Sequence, residues 1–277
     1  MKYSNLLFPN FLSKCLTLSY DDGVKPDVKL ADIMLKYGLK GTFNLNSAQF
    51  GKSEADFRLT KTQAKKLYNN PNFEVAVHGA EHLDLTMASN EQALLDLLLD
   101  KQALEKTFNT IMVGMAYAYG TYNDRVVELV KNCNIKYART VNSTFNFNLP
   151  QNFLTWHPTA HHNNENLMQL LNEFLSDEKS NVFCFNEPKL FYLWGHSYEF
   201  DDDNNWAVIE EFAKQAGNRS DVWYATNKQI YNYLTSFERL EYSCDKKIIR
   251  NPTDTDIYLN FNGQKVIVPK NKTIKIK

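Results

Sequence analysis

Much that would settle a function at sight is missing from this chain of 277 residues. No apolar run approaches the length of a membrane span, so a membrane-crossing helix is not expected. Basic and acidic side chains nearly cancel, 31 Lys and Arg against 32 Asp and Glu, and no Lys/Arg cluster stands out. A nucleic-acid binder relying on phosphate electrostatics is therefore disfavoured. The four cysteines, Cys15, Cys133, Cys184 and Cys244, are scattered without any Cys-x-x-Cys spacing. Structural zinc is disfavoured on that ground, and a disulfide framework is not required. Long-period repeats and low-complexity runs are also lacking. The segment from Met1 to Asn10 has one early charge and a short apolar patch, without the h-region or cleavage site of a signal peptide. A cytoplasmic protein with free thiols is the expectation, and an extracellular one stays open if a leader was trimmed.

What is present is an ordinary globular composition, 43% hydrophobic, with regular alternation of strand-like and helix-like segments. Strands are expected at 16–20, 41–46, 73–77, 113–119, 136–140, 190–194 and 222–226. Between them fall helices at 26–37, 60–69, 123–132, 164–176 and 204–216, and a further helix follows at 227–237. The longest helix has Asn90 as its expected N-cap, with Ala93, Leu94, Leu97, Leu98, Leu104 and Phe108 recurring at helical spacing. This series implies an α/β fold, an irregular barrel of seven or eight β/α units. From about residue 241 the pattern turns to β-hairpins, with Asn262-Gly263 the strongest turn signal. The expected organisation is a barrel over 1–238 and a small β extension over 239–277.

Two strand ends carry chemistry. Leu16-Thr17-Leu18-Ser19-Tyr20 runs into Asp21-Asp22-Gly23, and Phe73-Glu74-Val75-Ala76-Val77 runs into His78-Gly79-Ala80-Glu81-His82. Adjacent carboxylates and a His-x-x-x-His pair at equivalent ends make a mononuclear metal site, and three ligands leave a position open for catalysis. All six histidines lie at or just after strand ends, none in a long helix. The plainer readings are a turn or helix N-cap for Asp21-Asp22-Gly23, a surface helical turn for the His pair, and a packed core histidine for His196. His78-Gly79-Ala80-Glu81-His82 also fits the pattern of inverted zinc peptidases, with Glu81 as base. That motif needs a continuous helix, which Gly79 directly after a strand does not favour.

Ser19-Tyr20-Asp21-Asp22-Gly23, His78-x-x-x-His82, Ala118-Tyr119-Gly120 and Leu193-Trp194-Gly195-His196 resemble, in order, the motifs of the NodB-homology polysaccharide deacetylases, family four of the carbohydrate esterases. The resemblance covers about residues 15 to 235. It implies the irregular barrel of that family, and a metal-dependent hydrolase that removes an acetyl group from an N-acetylated sugar. By it Asp21 is the base, and Asp22, His78 and His82 hold one divalent ion, zinc foremost, with cobalt, nickel, manganese or iron as alternatives. His196 is the general acid, and a backbone N–H near Tyr119 meets the developing oxyanion. The family's Arg-x-Pro-Tyr motif is absent, since Ala116-Tyr117-Ala118-Tyr119 stands there, and so is its Asp-x-x-Asp-Trp motif. Arg139, at the next strand end, is the expected source of the missing charge.

The remaining expectations concern substrate. Tyr119, Tyr122, Trp156, His161 and His162 are taken as contacts for a carbohydrate or other N-acetylated small molecule, aromatic rings suiting sugar faces. His157 stays between a polar loop and a supporting role, and Glu199 between orienting His196 and an acidic loop that includes 201–203. Two other readings keep the fold: a hydrolase of another small amide, and a carbohydrate-binding relative that has lost turnover.

Overall fold

A computed structural model describes residues 3, 5–176, 188–261 and 263–276. The barrel begins after a short strand β1 (Leu6–Leu7) with β2 (Lys14–Asp21), whose eight residues are all buried. A strand without alternation is one covered on both faces, so β2 lies at the centre of the sheet. Helix α1 (Asp27–Lys36), β3 (Gly41–Leu45), α2 (Lys61–Tyr68) and β4 (Phe73–Val77) follow. Then come α3 (Asn90–Phe108), β5 (Gly114–Ala116), α4 (Asp124–Asn132) and β6 (Tyr137–Arg139). The second half holds β7 (Ala160–His161), α5 (Leu167–Leu175), β8 (Lys189–Gly195), α6 (Glu199–Asp202), α7 (Trp206–Ala216), β9 (Val222–Tyr224) and α8 (Asn227–Glu238).

All pairings in this sheet are parallel and its order is β6-β5-β4-β3-β2-β8-β7. β9 pairs with the first part of β2, Lys14–Leu16, while β3 pairs with the last part, Leu18–Asp21. The sheet curls because the segment leading into β7 touches both of its edges: Trp156 bridges to Arg139 of β6, and Ala160 and His161 pair with Leu193 and Trp194 of β8. Eight parallel strands thus form the irregular β/α barrel expected. Among the described residues no helix is long and apolar enough to cross a membrane.

Helix boundaries follow local chemistry. Thr60, Ser89 and Thr226 each form a capping box with the glutamine three residues on, closing two orphan N–H groups at the starts of α2, α3 and α8. Ser89 therefore displaces Asn90 as the cap of α3; Asn90 is its first helical residue. On the same helix Leu94 and Leu98 are exposed, and the buried stripe carries Ala93, Asp96, Leu97, Asp100 and Leu104 instead. The two aspartates sit inward because they bind backbone N–H groups of the neighbouring loops, as described below.

The C-terminal segment contributes β10 (Glu241–Tyr242), β11 (Ile248–Arg250), β12 (Ile257–Phe261), β13 (Gln264–Val268) and β14 (Thr273–Lys275). β12 and β13 form the expected hairpin with Phe261 opposite Gln264, and Gly263 adopts φ +85°; Asn262 lies outside the described residues. This tail is tied to the start of the chain, since β1 pairs with β12, Leu6 opposite Leu259. Leu6, Phe8, Tyr233, Leu234, Ile257 and Leu259 share one buried cluster beneath α8. Cys15, Cys133 and Cys244 are free thiols, and Cys184 lies outside the described residues.

Candidate active site

The C-terminal ends of parallel strands leave carbonyls and loop side chains facing one rim, and the polar residues gather there. β2 ends on Asp21, and the chain turns so sharply that Asp22 and Gly23 take φ +84° and +65°. The turn carries two adjacent carboxylates to different neighbours. Asp21 is 2% exposed; Asn44 Nδ2 donates to its Oδ1 at 2.8 Å, and Arg139 Nη2 donates to its Oδ2. Arg139 is itself buried, with its guanidinium carbon 4.4 Å from the centre of the Trp194 ring. Burial alone would push the Asp21 carboxyl up, but Arg139, His78, His196 and the Asn44 bond together bring it below the usual carboxylate range. It is ionised at neutral pH.

Asp22 faces the histidines of the β4 loop. Donor atoms of Asp22, His78 and His82 all lie within 4.8 Å of one another, with His82 Nε2 3.9 Å from Asp22 Oδ1. Two imidazole nitrogens and one carboxylate oxygen are a donor set suited to zinc and its neighbours. His78 Nδ1 sits 2.9 Å from the carbonyl oxygen of Ala116, which fixes its proton there and leaves Nε2 free to ligate. Burial, and then His78 beside it, lower the His82 imidazole, which favours the neutral form that a metal requires. The residues present fit a divalent ion.

Several supports were not legible as site residues. Asp100 of α3 accepts from the backbone N–H of Ser47 (2.8 Å) and of His78 (3.0 Å). Asp96, one turn earlier, accepts from the N–H of Glu81 at 2.8 Å. Arg58 Nη1 donates to Asn46 Oδ1 at 3.1 Å and to the Asp22 carbonyl, while its Nη2 lies 3.4 Å from Asp22 Oδ1. The only signal in the sequence was two acidic residues, i and i+4, on an otherwise leucine-rich helix.

His196 also lies against Asp21, with its Nε2 3.8 Å from Asp21 Oδ2 and its Nδ1 3.4 Å from Glu199 Oε1. Burial would lower this imidazole, but Glu199, Asp21 and Asp22 raise it above its ordinary value. Tyr119 is 65% exposed at φ +57°, its ring edge-on to His82 with centroids 4.5 Å apart. Tyr122 is half-buried and stacks on Tyr117. His161 is half-buried at the same rim, its Nε2 3.2 Å from Glu199 Oε2.

Two expected substrate contacts are corrected. Trp156 is 2% exposed and packs edge-on against Tyr137, Phe153 and Tyr192, so no sugar ring can reach its face. The bridge to β6 pins its backbone inside the barrel wall, and its side chain follows inward. His162 is fully buried between Tyr20 and Phe200, because strand alternation turns it inward where His161 turns to the rim. His157 is exposed, with its Nδ1 2.6 Å from Thr140 Oγ1. Glu199 opens α6 rather than a loop, and 201–203 form an exposed acidic end to it.

Residues 9–138 match the family model described as polysaccharide deacetylase. The match includes Asp21, Asp22, His78 and His82 and stops short of Arg139, His161, His196 and Glu199. Among solved structures, a candidate polysaccharide deacetylase from Mycobacterium smegmatis has 14% identity and a TM-score of 0.58, with 85% of this chain and 94% of that one covered. A mutant of BA3943, a CE4 family pseudoenzyme with restored enzymatic activity, has 15% identity and a TM-score of 0.51, with 81% and 69% covered. The Streptococcus pyogenes deacetylase PplD in complex with acetate has 26% identity and a TM-score of 0.42, with 45% and 55% covered. The chain spans about half the length of that protein and of two Bacillus structures, 44% and 51%. No curated protein matches the chain. The resemblance read from the motifs is borne out by the match over residues 9–138, and the barrel by the likeness to the Mycobacterium smegmatis structure.

Proposed function

We propose that this chain, which carries the polysaccharide deacetylase match over residues 9–138, is a metal-dependent deacetylase of an N-acetylated sugar or polysaccharide. The observation that carries the reading is the Asp22, His78 and His82 donor set on the barrel rim, beside an ionised Asp21 whose Oδ2 lies 3.8 Å from Nε2 of a raised His196. Asp22, His78 and His82 would hold one divalent ion, zinc by its ligand chemistry, and the ion supplies Lewis acidity toward the amide oxygen and a lowered pKa for water. Asp21 accepts the proton of the attacking water on a carboxylate that Asn44 and Arg139 hold in place and in its charged form. His196 delivers a proton from Nε2 to the amide nitrogen, without which the amine is a very poor leaving group. Tyr119, exposed beside His82, and Tyr122 and His161 on the same rim are the side chains within reach of a sugar.

Metal content of the purified protein, beside Asp22→Asn prepared identically, is the decisive measurement. Asparagine tolerates the left-handed backbone at this position, so the variant reads ligand chemistry rather than collapse of the turn. About one zinc per chain in the parent, lost in the variant, with zinc-dependent acetate release from N-acetylated sugars, is the expected result. Equal metal in both proteins, or none in either after zinc is offered, would sink the reading.

A further inference from the structure

His161, His162, His196 and Glu199 converge at a part of the rim that lies outside the matched segment. β7 ends on His161 and β8 on Gly195, and the turn into α6 swings Glu199 back toward both. His161 Nε2 and His162 Nε2 lie 3.2 and 3.1 Å from Glu199 Oε2, and His196 Nδ1 lies 3.4 Å from Oε1. The backbone N–H of His196 donates to Oε2 at 3.1 Å. Gly195 belongs to this construction: a Cβ there would fall 2.0 Å from His162 Nδ1, so only glycine lets that ring seat.

Two chemistries suit such a cluster. The donors of His161, His196 and Glu199 lie within 4.8 Å of one another, and ligands of a tetrahedral zinc ion stand about 3.3 Å apart. A second ion is therefore the first alternative, and His161 decides against it. The backbone N–H of Asn163 donates to His161 Nδ1 at 3.2 Å, which places the ring proton on Nε2, facing Glu199. A nitrogen that carries a proton cannot ligate. The carboxylate is the acceptor, and it keeps its charge.

We propose that Glu199 is the positioning residue of His196: its charge, with Oε1 3.4 Å from Nδ1 and Oε2 accepting from the His196 backbone N–H, keeps Nε2 facing Asp21 and the substrate, while His161 and His162 lie against Glu199 at 3.2 and 3.1 Å. The inference rests on reading His196 as the proton donor. The charged and titratable groups facing His196 are Asp21 and Asp22 at the end of β2, His161 and His162 at the end of β7, and Tyr198 and Glu199 from its own turn. Burial would raise Glu199, but the three imidazoles hold it well below the usual carboxylate range. His162, pushed down to about 4 first of all by burial, is neutral and braces the carboxylate without competing with His196 for the proton.

The test compares Glu199→Gln and Glu199→Asp with the parent in the metal-loaded protein, reading kcat, KM, the pH profile and the NMR titration of the His196 ring. Removing the negative charge lowers the His196 pKa, so the alkaline limb of kcat moves to lower pH. The expected result for Glu199→Gln is a kcat lower by about tenfold or more with KM nearly unchanged, and Glu199→Asp recovers part of it. An unchanged His196 titration in both variants overturns the proposal, whatever the activity. So does a second zinc ion per chain that is lost in His161→Ala. If the parent releases no acetate from any acetylated sugar while the titration shifts as expected, the deacetylase reading fails and the Glu199–His196 coupling stands.

Discussion

Asp21 and Arg139 form the most consequential pair of side chains in the molecule, 1–2% exposed and joined across the rim by Arg139 Nη2 and Asp21 Oδ2. Breaking a buried ion pair leaves the other charge uncompensated and costs about 3–5 kcal/mol, more than the intact pair contributes. Arg139→Ala is therefore expected to lower both stability and rate. Acetate release should fall by about a hundredfold or more, comparably with Asp21→Ala, and the thermal midpoint should drop as well. A near-normal rate in Arg139→Ala would remove Arg139 from the chemistry. Arg139 was legible because the sequence places it at a strand end and the expected arginine of the preceding motif is missing. Trp156 and His162 were misread for the converse reason. Proximity to a strand end locates a residue at the rim, but which way its side chain points depends on pairing that one-dimensional sequence does not display.

Helix α3 shows the same limit at the level of an element. Its apolar spacing announced a helix, and a helix from Asn90 to Phe108 is what forms. The face it buries was not announced, because Leu94, Leu95, Leu98 and Leu99 are exposed while Asp96 and Asp100 point inward. The reason is hydrogen bonding: three backbone N–H groups in the loops after β3 and β4 have these carboxylates as acceptors. A buried N–H stripped of its acceptor costs about 1–3 kcal/mol. Asp100→Ala orphans the N–H of Ser47 and leaves that of His78 only the Leu45 carbonyl at 3.1 Å, and is expected to destabilise by about 1–3 kcal/mol on that basis, with a weaker affinity for metal. Urea unfolding and zinc titration check both parts. A variant with parental midpoint and affinity would show that the loops hold themselves.

For the whole molecule the buried acids set the response to pH. Asp27 is fully buried and accepts from Ser197, Tyr68 and the backbone N–H of Val24, yet burial outweighs these bonds and raises its carboxyl to about 7. Asp100 is raised to about 7 by burial as well. Between the ordinary carboxylate value and 7 the unfolded chain has released these protons while the folded chain retains them. The stabilisation is complete below the ordinary carboxylate value, shrinks steadily across that window, and is gone once pH has risen through about 7. The urea midpoint of the parent is expected to fall from pH 5 to pH 8, and Asp27→Asn should flatten that slope. An equal slope in parent and variant would mean that Asp27 is ionised in the fold. The N- and C-terminal segments share this dependence on the whole, since β1 and β12 pair only when both ends of the chain have come together over α8.

Local sequence sufficed for the succession of strands and helices, the hairpin near 262–263, the residue types of the candidate metal site and the resemblance to the deacetylase family. These follow from local periodicity, turn chemistry and motifs a few residues long, which survive in one dimension. Only the folded chain shows that Arg139, foreseen at its strand end, spans 118 positions to reach Asp21 itself, that Asp100 of a neighbouring helix supports the loop carrying His78, and that three histidines surround Glu199. Such contacts depend on the curl of the sheet and the direction of each side chain at its edge. Both are set by pairing and burial over the entire barrel, not by any segment of it.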